Sequence, residues 1–312
     1  MNVEHIDIYQ SVTNRIIDAL EAGVPPWVRP WTGETDPNPI NADSQRAYRG
    51  INWVTLQIEA QLGGYARNVW MTYRQAAARG GQVRKGARGC PVVFWKLRKV
   101  NATAETEPWP CTDDIEQRVI PLIRYSTVFN VAQIDGLPSE FADPPGTVPI
   151  WTSEEAAEMI INKSGADIRH GGFRAFYQPS KDFIQLPSPN AFADAGSYYA
   201  TALHELAHWT GHQSRLNRQL GSRFGADAYA MEEMVSEICS AFLCAHSRIN
   251  GQLQHAAYVQ NWLRVLRNDR RAVFVASTTA QRAADFLLDR ATGKPAVGVA
   301  VRSVPALEAE AA

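Results

Sequence analysis

The chain has 312 residues, 45% of them hydrophobic, and its 32 acidic and 31 basic side chains leave a net charge of −1. This length accommodates two domains, and the balanced total charge indicates no particular partner. The four cysteines form no Cys-x-x-Cys pair, the first residues are polar and acidic, and no apolar run reaches the length of a membrane span. These features argue against a disulfide framework and against a membrane protein. They predict that the protein is cytoplasmic.

The N-terminal part of the chain predicts a small α+β domain, which we place at residues 1–138. Apolar residues recur first at helical spacing and later in β-rich runs. The expected helices are 5–21, 50–60 and 72–79, and the expected strands are 91–100 and 119–131. A polar, acidic stretch between the two strands predicts a hairpin loop.

Charge is distributed unevenly within this domain, because residues 60–104 contain no aspartate or glutamate. Cations that neutralise phosphates, beside flat rings on which unpaired bases stack, are what sequence-tolerant binding of single-stranded DNA requires. The alternative is a solvated basic face above core tryptophans such as Trp70 and Trp95. The residues that we expect to contact DNA are Arg46, Tyr48, Arg49, Asn52, Trp53, Arg67, Tyr73, Arg74, Arg79, Arg84, Lys85, Arg88 and Lys96.

A Pro-rich stretch at 139–150 predicts a linker to a second domain at 151–300. This domain should open with a helix at Ser153, followed by short strands and by several longer helices. Residues 301–312 are expected to form a flexible tail. The predicted fold class is therefore α+β, with a small α+β DNA-binding domain followed by a mainly helical domain.

One of these helices contains the sequence H-E-x-x-H, formed by His204, Glu205 and His208. Residues four apart on a helix share one face, so both imidazoles can bind one metal ion. We expect one Zn²⁺ per chain, or another divalent ion such as Mn²⁺. Glu205 can accept a proton from an attacking water and pass it to a leaving amine. Gly211 should end the helix in a left-handed cap, which places His212 in a loop and not on the metal.

The third metal ligand is expected from a second, acidic helix. Glu233 and Glu237 lie four residues apart on one face, and Glu232 lies off that face. We assign Glu233 as the ligand and Glu237 as the partner that orients a ligand histidine, although the reverse order remains open. Ser236 and Ser240 are small enough to allow close approach of the two helices. The alternative is a solvated acidic face without a role.

Several short motifs in both domains together carry a resemblance to a known family. They are Pro25-Pro26-Trp27, Tyr48-Arg49-Gly50-Ile51-Asn52, Trp70-Met71-Thr72-Tyr73, Gly80 to Gly86, Thr127 to Gln133, Tyr198 to Arg218 and Tyr229 to Phe242. The chain resembles ArdC-type antirestriction proteins, whose N-terminal domain is shared with TraC-type primases of conjugative plasmids and is fused to a metallopeptidase domain. This resemblance implies binding of single-stranded DNA, a zincin fold, and protection of incoming plasmid DNA from host restriction.

Two functions compete at this point. In the first, the chain is a peptidase tethered to single-stranded DNA that cleaves an unknown protein, such as a restriction protein or another host protein bound to DNA. In the second, it is a DNA-masking protein whose metal site is structural. The presence of Glu205 favours the first, because a structural site needs no general base.

Overall fold

The computed structural model describes residues 7–24, 38–101, 117–141, 153–218, 226–249 and 256–294. By its contacts the chain divides into two compact units, Met1–Val148 with Leu266–Phe274, and Pro149–Val265 with Val275–Ala312. The sequence analysis assigned 266–274 to the second domain, whereas these residues cluster with the first unit. The other domain boundaries stay a prediction, because most of the expected linker and all of the expected tail lie outside the described residues.

The first unit is a small α+β fold, as expected. Its helices are α1 (Ile8–Glu21), α2 (Ile51–Leu62) and α3 (Tyr73–Ala78). Its strands are β1 (Ile40–Asn41), β2 (Val69–Thr72), β3 (Gln82–Val83), β4 (Cys90–Asn101), β5 (Gln117–Asn130) and β6 (Ile134–Asp135). Four strands form a sheet in the order β1-β2-β5-β4, in which only β1 and β2 are parallel, and β3 pairs with β6.

The sheet is buried on both faces at β2, because successive side chains of a strand point to opposite sides. Met71 packs with Ala76 and other apolar residues on one side. Trp70 packs with Leu56 and Val92 on the other side. The core of the first unit therefore has two layers, one on each side of the sheet.

The β4–β5 hairpin extends beyond this core. The two strands pair from Cys90 and Val128 to Asn101 and Gln117. By contrast, β2 pairs only with the last three residues of β5, from Val128 (opposite Thr72) to Asn130 (opposite Trp70). Among the described strands of this sheet, the outer part of the hairpin is therefore a two-stranded ribbon.

Helix α1 is completed by a distant segment of the chain. The carboxylate of Asp7 accepts hydrogen bonds from the first backbone N–H groups of the helix and so caps it. The hydroxyl of Thr13 donates to the carbonyl oxygen of Arg270 at 2.7 Å. The rings of Tyr9 and Phe274 meet edge to face, with centroids 4.8 Å apart. Residues 266–274 are thus part of the first unit's packing.

The second unit is mainly helical, which confirms the expected fold class. Its helices are α4 (Ser153–Ser164), α5 (Ala195–Thr210), α6 (Ala226–Ser247) and most of α7 (Ala256–Asn268) and α8 (Ala272–Ala291), apart from residues 266–268 and 272–274. Its strands β7 (Asp167–His170), β8 (Phe176–Gln178) and β9 (Phe183–Leu186) form a sheet in the order β7-β9-β8. None of the described helices combines the length and the hydropathy that a membrane crossing requires.

Helices α5 and α6 pack closely against each other. Asp194 caps α5 by accepting a hydrogen bond from the N–H of Ser197 at 2.7 Å. The apolar face of α5 is fully buried, for example at Leu203. The hydroxyl of Ser240 on α6 donates to the carbonyl oxygen of Ala200 on α5 at 3.1 Å. Small side chains therefore bring the two helices into contact, as their spacing in the sequence indicated.

Candidate metal centre

The two histidines of the H-E-x-x-H sequence project from one face of α5. His204 and His208 lie one helical turn apart, and their Nε2 atoms are 3.2 Å from each other. Their side chains are 6% and 13% exposed. This arrangement suits two neutral imidazoles that direct their lone pairs at one cation.

A carboxylate from α6 reaches the same point. Glu233 lies 3.7 Å from His204 Nε2 and 3.6 Å from His208 Nε2 through its two oxygens. Ligand atoms held about 2.0–2.2 Å from a tetrahedral ion are separated by roughly 3.3–3.6 Å, so these distances fit a bound metal. The ligand atoms of these three residues, and not that of Glu237, converge within 4.8 Å. The donor set therefore fits a divalent ion such as Zn²⁺ or Mn²⁺.

His208 is oriented by a carboxylate that the sequence analysis did not assign. Its Nδ1 lies 3.2 Å from Oε1 of Glu232 and 3.0 Å from the hydroxyl of Ser236. A carboxylate at the second ring nitrogen fixes the tautomer and the direction of a metal-binding histidine. The sequence analysis gave an orienting role of this kind to Glu237 without specifying the histidine, and at His208 the orienting carboxylate is Glu232. Neighbouring helical residues differ by about 100° in direction, but α5 lies close enough to α6 for two adjacent glutamates to reach it.

Arg218 holds Glu232 in place. Its guanidinium donates to both carboxylate oxygens of Glu232, at 3.0 and 2.8 Å. It also donates to the carbonyl oxygen of Ala207 and to the hydroxyl of Thr210, at 2.7 and 2.8 Å. The pair is buried, with side chains 10% and 7% exposed. Arg218 thereby ties the orienting carboxylate to the C-terminal turn of α5. Spacing alone gave no role for this arginine, although it belongs to a motif that carried the family resemblance.

The end of α5 differs from the expected left-handed cap. Gly211 has a φ of −75°, in the right-handed region. Arg215 secures the following loop: it donates to the carbonyl oxygen of Trp209 at 2.7 Å, pairs with Asp182, and stacks over the Trp209 ring at 3.8 Å. His212 lies in this loop and not among the converging ligands, as expected.

The remaining carboxylates of the site are also buried. Glu205 is 7% exposed on α5, and Glu237 is 1% exposed on α6. Such burial excludes the alternative of a solvated acidic face on α6. The hydroxyl of Tyr229 hydrogen-bonds Glu233 and so helps to position this ligand. The general-base role of Glu205 and an orienting role of Glu237 stay predictions.

The protonation of the cluster is set by its own charges. Burial alone would lower the pKa of His208, but the hydrogen bonds and negative charges of Glu232 and Glu233 raise it to about 10. Burial would likewise raise the carboxyl pKa values. Contact with His208 nevertheless lowers the pKa of Glu233 to about 2, and His208 with Arg218 lowers that of Glu232. A divalent ion must therefore displace the imidazolium proton, which makes its affinity dependent on pH.

Most of the expected DNA contacts in the first unit are exposed to solvent. These exposed residues are Arg46, Arg49, Tyr73, Arg74, Arg84, Lys85 and Arg88. Arg84 pairs with Asp135 at 2.7 Å, but both side chains are more than half exposed, so solvent screens the pair. The side chain of Lys96 lies outside the described residues.

Four other expected contacts anchor the fold of the first unit: Tyr48, Asn52, Arg67 and Arg79. Asn52 exchanges two hydrogen bonds with the backbone of Val93, each of 2.8 Å. Arg67 donates to the carbonyl oxygen of Phe141, and Arg79 forms an ion pair. These side chains are less available to phosphates than their charge or polarity suggested.

Two tryptophans differ from expectation in their burial. Trp53 is 5% exposed, and its indole N–H donates to Asn38 at 3.0 Å, so this ring belongs to the core and cannot stack on bases. The reason is that α2 is buried on nearly every side. Trp95 was a candidate for the core but is 54% exposed, whereas Trp70 is buried as expected.

Known proteins match both halves of the chain. The N-terminal domain of the anti-restriction factor ArdC matches residues 6–129, and a zincin-like metallopeptidase domain matches residues 155–279. Fold and site together define a two-domain protein with a zincin-like metallopeptidase domain. The metal-free crystal structure of the antirestriction ArdC protein from plasmid R388 is 40% identical, with a TM-score of 0.76, and the match covers 93% of this chain and 99% of that one. The chain belongs to the ArdC family.

Other relatives agree with this assignment. The Mn(II)-bound structure of the same R388 protein is 41% identical, with a TM-score of 0.72, and covers 91% of this chain and 98% of that one. The uncharacterized protein y4eC of Sinorhizobium fredii is 43% identical over 90% of this chain and 91% of its own length. DNA primase TraC of Escherichia coli is 41% identical over 90% of this chain, but the match spans only 27% of TraC.

Proposed function

We propose that this chain is an antirestriction protein that binds single-stranded DNA through its first unit and hydrolyses peptide bonds at the metal centre of its second. In this way it protects incoming plasmid DNA from host restriction. The observation that carries the proposal is the convergence of His204, His208 and Glu233, with Glu205 buried on the same helix. Membership of the ArdC family supports the antirestriction role.

The residues of the site fit peptide hydrolysis. A divalent ion bound by His204, His208 and Glu233 would polarise the scissile carbonyl and lower the pKa of a water molecule. Glu205 then serves as the acceptor of the water's proton and as its donor to the leaving amine. Arg218 and Glu232 keep the His208 ring directed at the centre, so its Nε2 needs no reorientation before the reaction.

Binding of DNA by the first unit is supported by its exposed cations. Arg84, Lys85 and Arg88 are exposed in and beside the turn between β3 and β4, within a segment without any carboxylate. Such a segment attracts phosphates and releases their counterions. A chain that carries both activities raises the effective concentration of its peptidase centre near proteins on the same DNA. The proposed protein substrate is therefore a restriction protein or another host protein bound to DNA.

The decisive experiment replaces Glu205 in the full chain. Glu205→Gln keeps the size of the side chain but removes the base, so metal content and DNA binding should be retained while peptidase activity and protection of unmodified DNA in cells are lost. Glu154→Gln is the matched control, because this carboxylate is exposed on α4. Cleavage of a DNA-bound protein should require single-stranded DNA, the metal and Glu205 together.

A second function is favoured by the acid-free basic segment itself, which can coat DNA without any chemistry at the metal site. If the protein acts by masking DNA, the Glu205→Gln variant should still protect unmodified DNA in cells fully. Protection then fails when Arg84, Lys85 and Arg88 are changed to glutamine. These two results together would show that the protein protects DNA by masking it, and that its metal site is structural and not a peptidase centre.

A further inference from the structure

The outer part of the β4–β5 hairpin carries large rings in contact with solvent. Phe94, Trp95 and Tyr125 are 47%, 54% and 48% exposed. The register places Trp95 opposite Ile123 and Phe94 opposite Arg124. Residues directly opposite each other in an antiparallel pair share a face, and successive residues alternate. Trp95, Ile123 and Tyr125 therefore lie on one face of the ribbon, and Phe94 with Arg124 on the other.

The same ribbon contains no acidic residue. Neither β4 nor β5 has an aspartate or glutamate, and together they contain five basic residues. These are Lys96, Arg98, Lys99, Arg118 and Arg124. A strand pair with exposed aromatic rings and only positive charge is complementary to a polyanion with flat, unpaired bases. The positive charge belongs to the strands alone, because residues 102–116 between them contain five carboxylates. A second copy of the chain that paired strand to strand fits less well, because it would bring the same positive charges together.

We propose that the outer part of the β4–β5 hairpin is the surface on which bases of single-stranded DNA stack, with Trp95 and Tyr125 as the platform. This inference rests on the proposed binding of single-stranded DNA and assigns it a site. It also accounts for the stacking that Trp53 cannot provide from the core. Arg124 supplies a positive charge for the phosphates on the other face, beside Phe94.

The test uses the full chain and fluorescently labelled oligothymidylate, with anisotropy titrations at two salt concentrations. Trp95→Leu keeps an apolar side chain but removes the ring, and should weaken binding about 5- to 150-fold, which is the range for loss of one stacked base. Trp95→Tyr should bind within about threefold of the wild-type chain, because any aromatic face can stack. Phe173→Leu is the matched control, since this ring is fully exposed in the second unit.

The outcomes separate this surface from the proposed function. Wild-type affinity in Trp95→Leu and Tyr125→Leu, with the wild-type chain binding normally, would overturn the stacking surface and leave DNA binding by the first unit intact. Failure of the wild-type chain to bind oligothymidylate at low salt would overturn both. If Trp95→Leu or Tyr125→Leu changed the oligomeric state measured by sedimentation but not the affinity for DNA, the ribbon would be a self-association surface and the proposal would be overturned.

Discussion

At the scale of single residues, the metal centre is a buried group of alternating charges. His208 lies between the carboxylates of Glu232 and Glu233, and Arg218 neutralises the outer carboxylate. Buried charges are tolerated when each has a partner, whereas loss of one partner leaves the other in a medium that solvates it poorly. Each substitution in this group should therefore affect both metal affinity and stability.

The ligand assignment predicts the effect of three substitutions on metal content. His204→Ala and His208→Ala should each lose the bound ion, because two protein ligands hold it too weakly. Glu205→Gln should keep about one ion per chain, because Glu205 is not among the converging donors. Metal analysis after dialysis measures all three, and a double histidine variant that still carried one ion per chain would contradict the site.

The orienting pair should affect metal affinity less than a ligand does. Glu232→Gln and Arg218→Ala are expected to weaken binding about 10- to 100-fold, since the His208 ring loses its fixed direction. Glu233→Gln should weaken it more. Competition titrations with a chelating dye give the three affinities. Equal losses in Glu232→Gln and Glu237→Gln would favour an orienting role for both carboxylates.

The pKa shifts predict how the metal changes the pH dependence of stability. In the metal-free chain the raised pKa of His208 stabilises the fold below its ordinary value of 6.5, and this contribution is lost as pH rises towards about 10. The lowered pKa of Glu233 stabilises the fold above 4.5, and this contribution is lost as pH falls towards about 2.

The cluster should therefore stabilise the metal-free chain most between pH 4.5 and 6.5. Metal binding requires deprotonated ligands, so added Zn²⁺ or Mn²⁺ should shift the optimum to higher pH. Melting temperatures measured across pH, with chelator and with metal, test this. Parallel curves under both conditions would show that the cluster does not couple metal binding to protons.

The sequence predicted the ligands better than it predicted their supports. His204 and His208 follow from helical spacing alone. The need for a third donor on a neighbouring helix narrowed the choice to Glu233 or Glu237, with Glu233 preferred. Glu232 and Arg218 depend on where α5 crosses α6 and on how the loop after α5 folds back. These contacts depend on tertiary packing, which the residue pattern of a single helix does not predict.

At the scale of elements, the contact between α5 and α6 sets the geometry of the metal centre. The sequence identified both helices and the small residues between them, because small residues at helical spacing mark close approach. It also identified α3, where Thr72 and Gln75 form a capping box. It did not distinguish the buried Trp53 from the exposed Trp95, since a ring's partners come from other elements.

The helix contact predicts different effects of two substitutions at Ser240, which is fully buried. Ser240→Ala removes the hydrogen bond to Ala200 and the weaker contact with the Cys244 thiol, so the free energy of unfolding should fall by about 0.5–1.5 kcal/mol. Ser240→Leu overpacks the contact and should cost about 1–3 kcal/mol, or more if the backbone shifts. Denaturant titration measures stability, and metal affinity measured in parallel should fall only in Ser240→Leu.

At the scale of the whole molecule, the first unit is discontinuous in sequence. Residues 266–274 pack with α1 through Thr13 and Tyr9, and Arg270 forms an ion pair with Asp7. A fragment of residues 1–150 lacks this segment, although the sequence alone suggested that the first domain ends near residue 138. Its α1 should exchange backbone hydrogens faster than in the full chain, because fewer contacts protect it. Equal protection of α1 in hydrogen-exchange mass spectrometry would show that the fragment is complete without the segment.

This discontinuity has a consequence for the nascent chain. The Thr13 hydroxyl and its acceptor on Arg270 are 257 residues apart. At a translation rate of about 5–20 residues per second, the ribosome releases the second partner roughly 13–50 s after the first. During that interval Tyr9 and Thr13 of α1 lack their partners Phe274 and Arg270, and the H-E-x-x-H helix and its acidic neighbour are synthesised before those partners. The unit that starts first on the ribosome therefore cannot be completed until nearly all of the second unit up to Val265 has been synthesised.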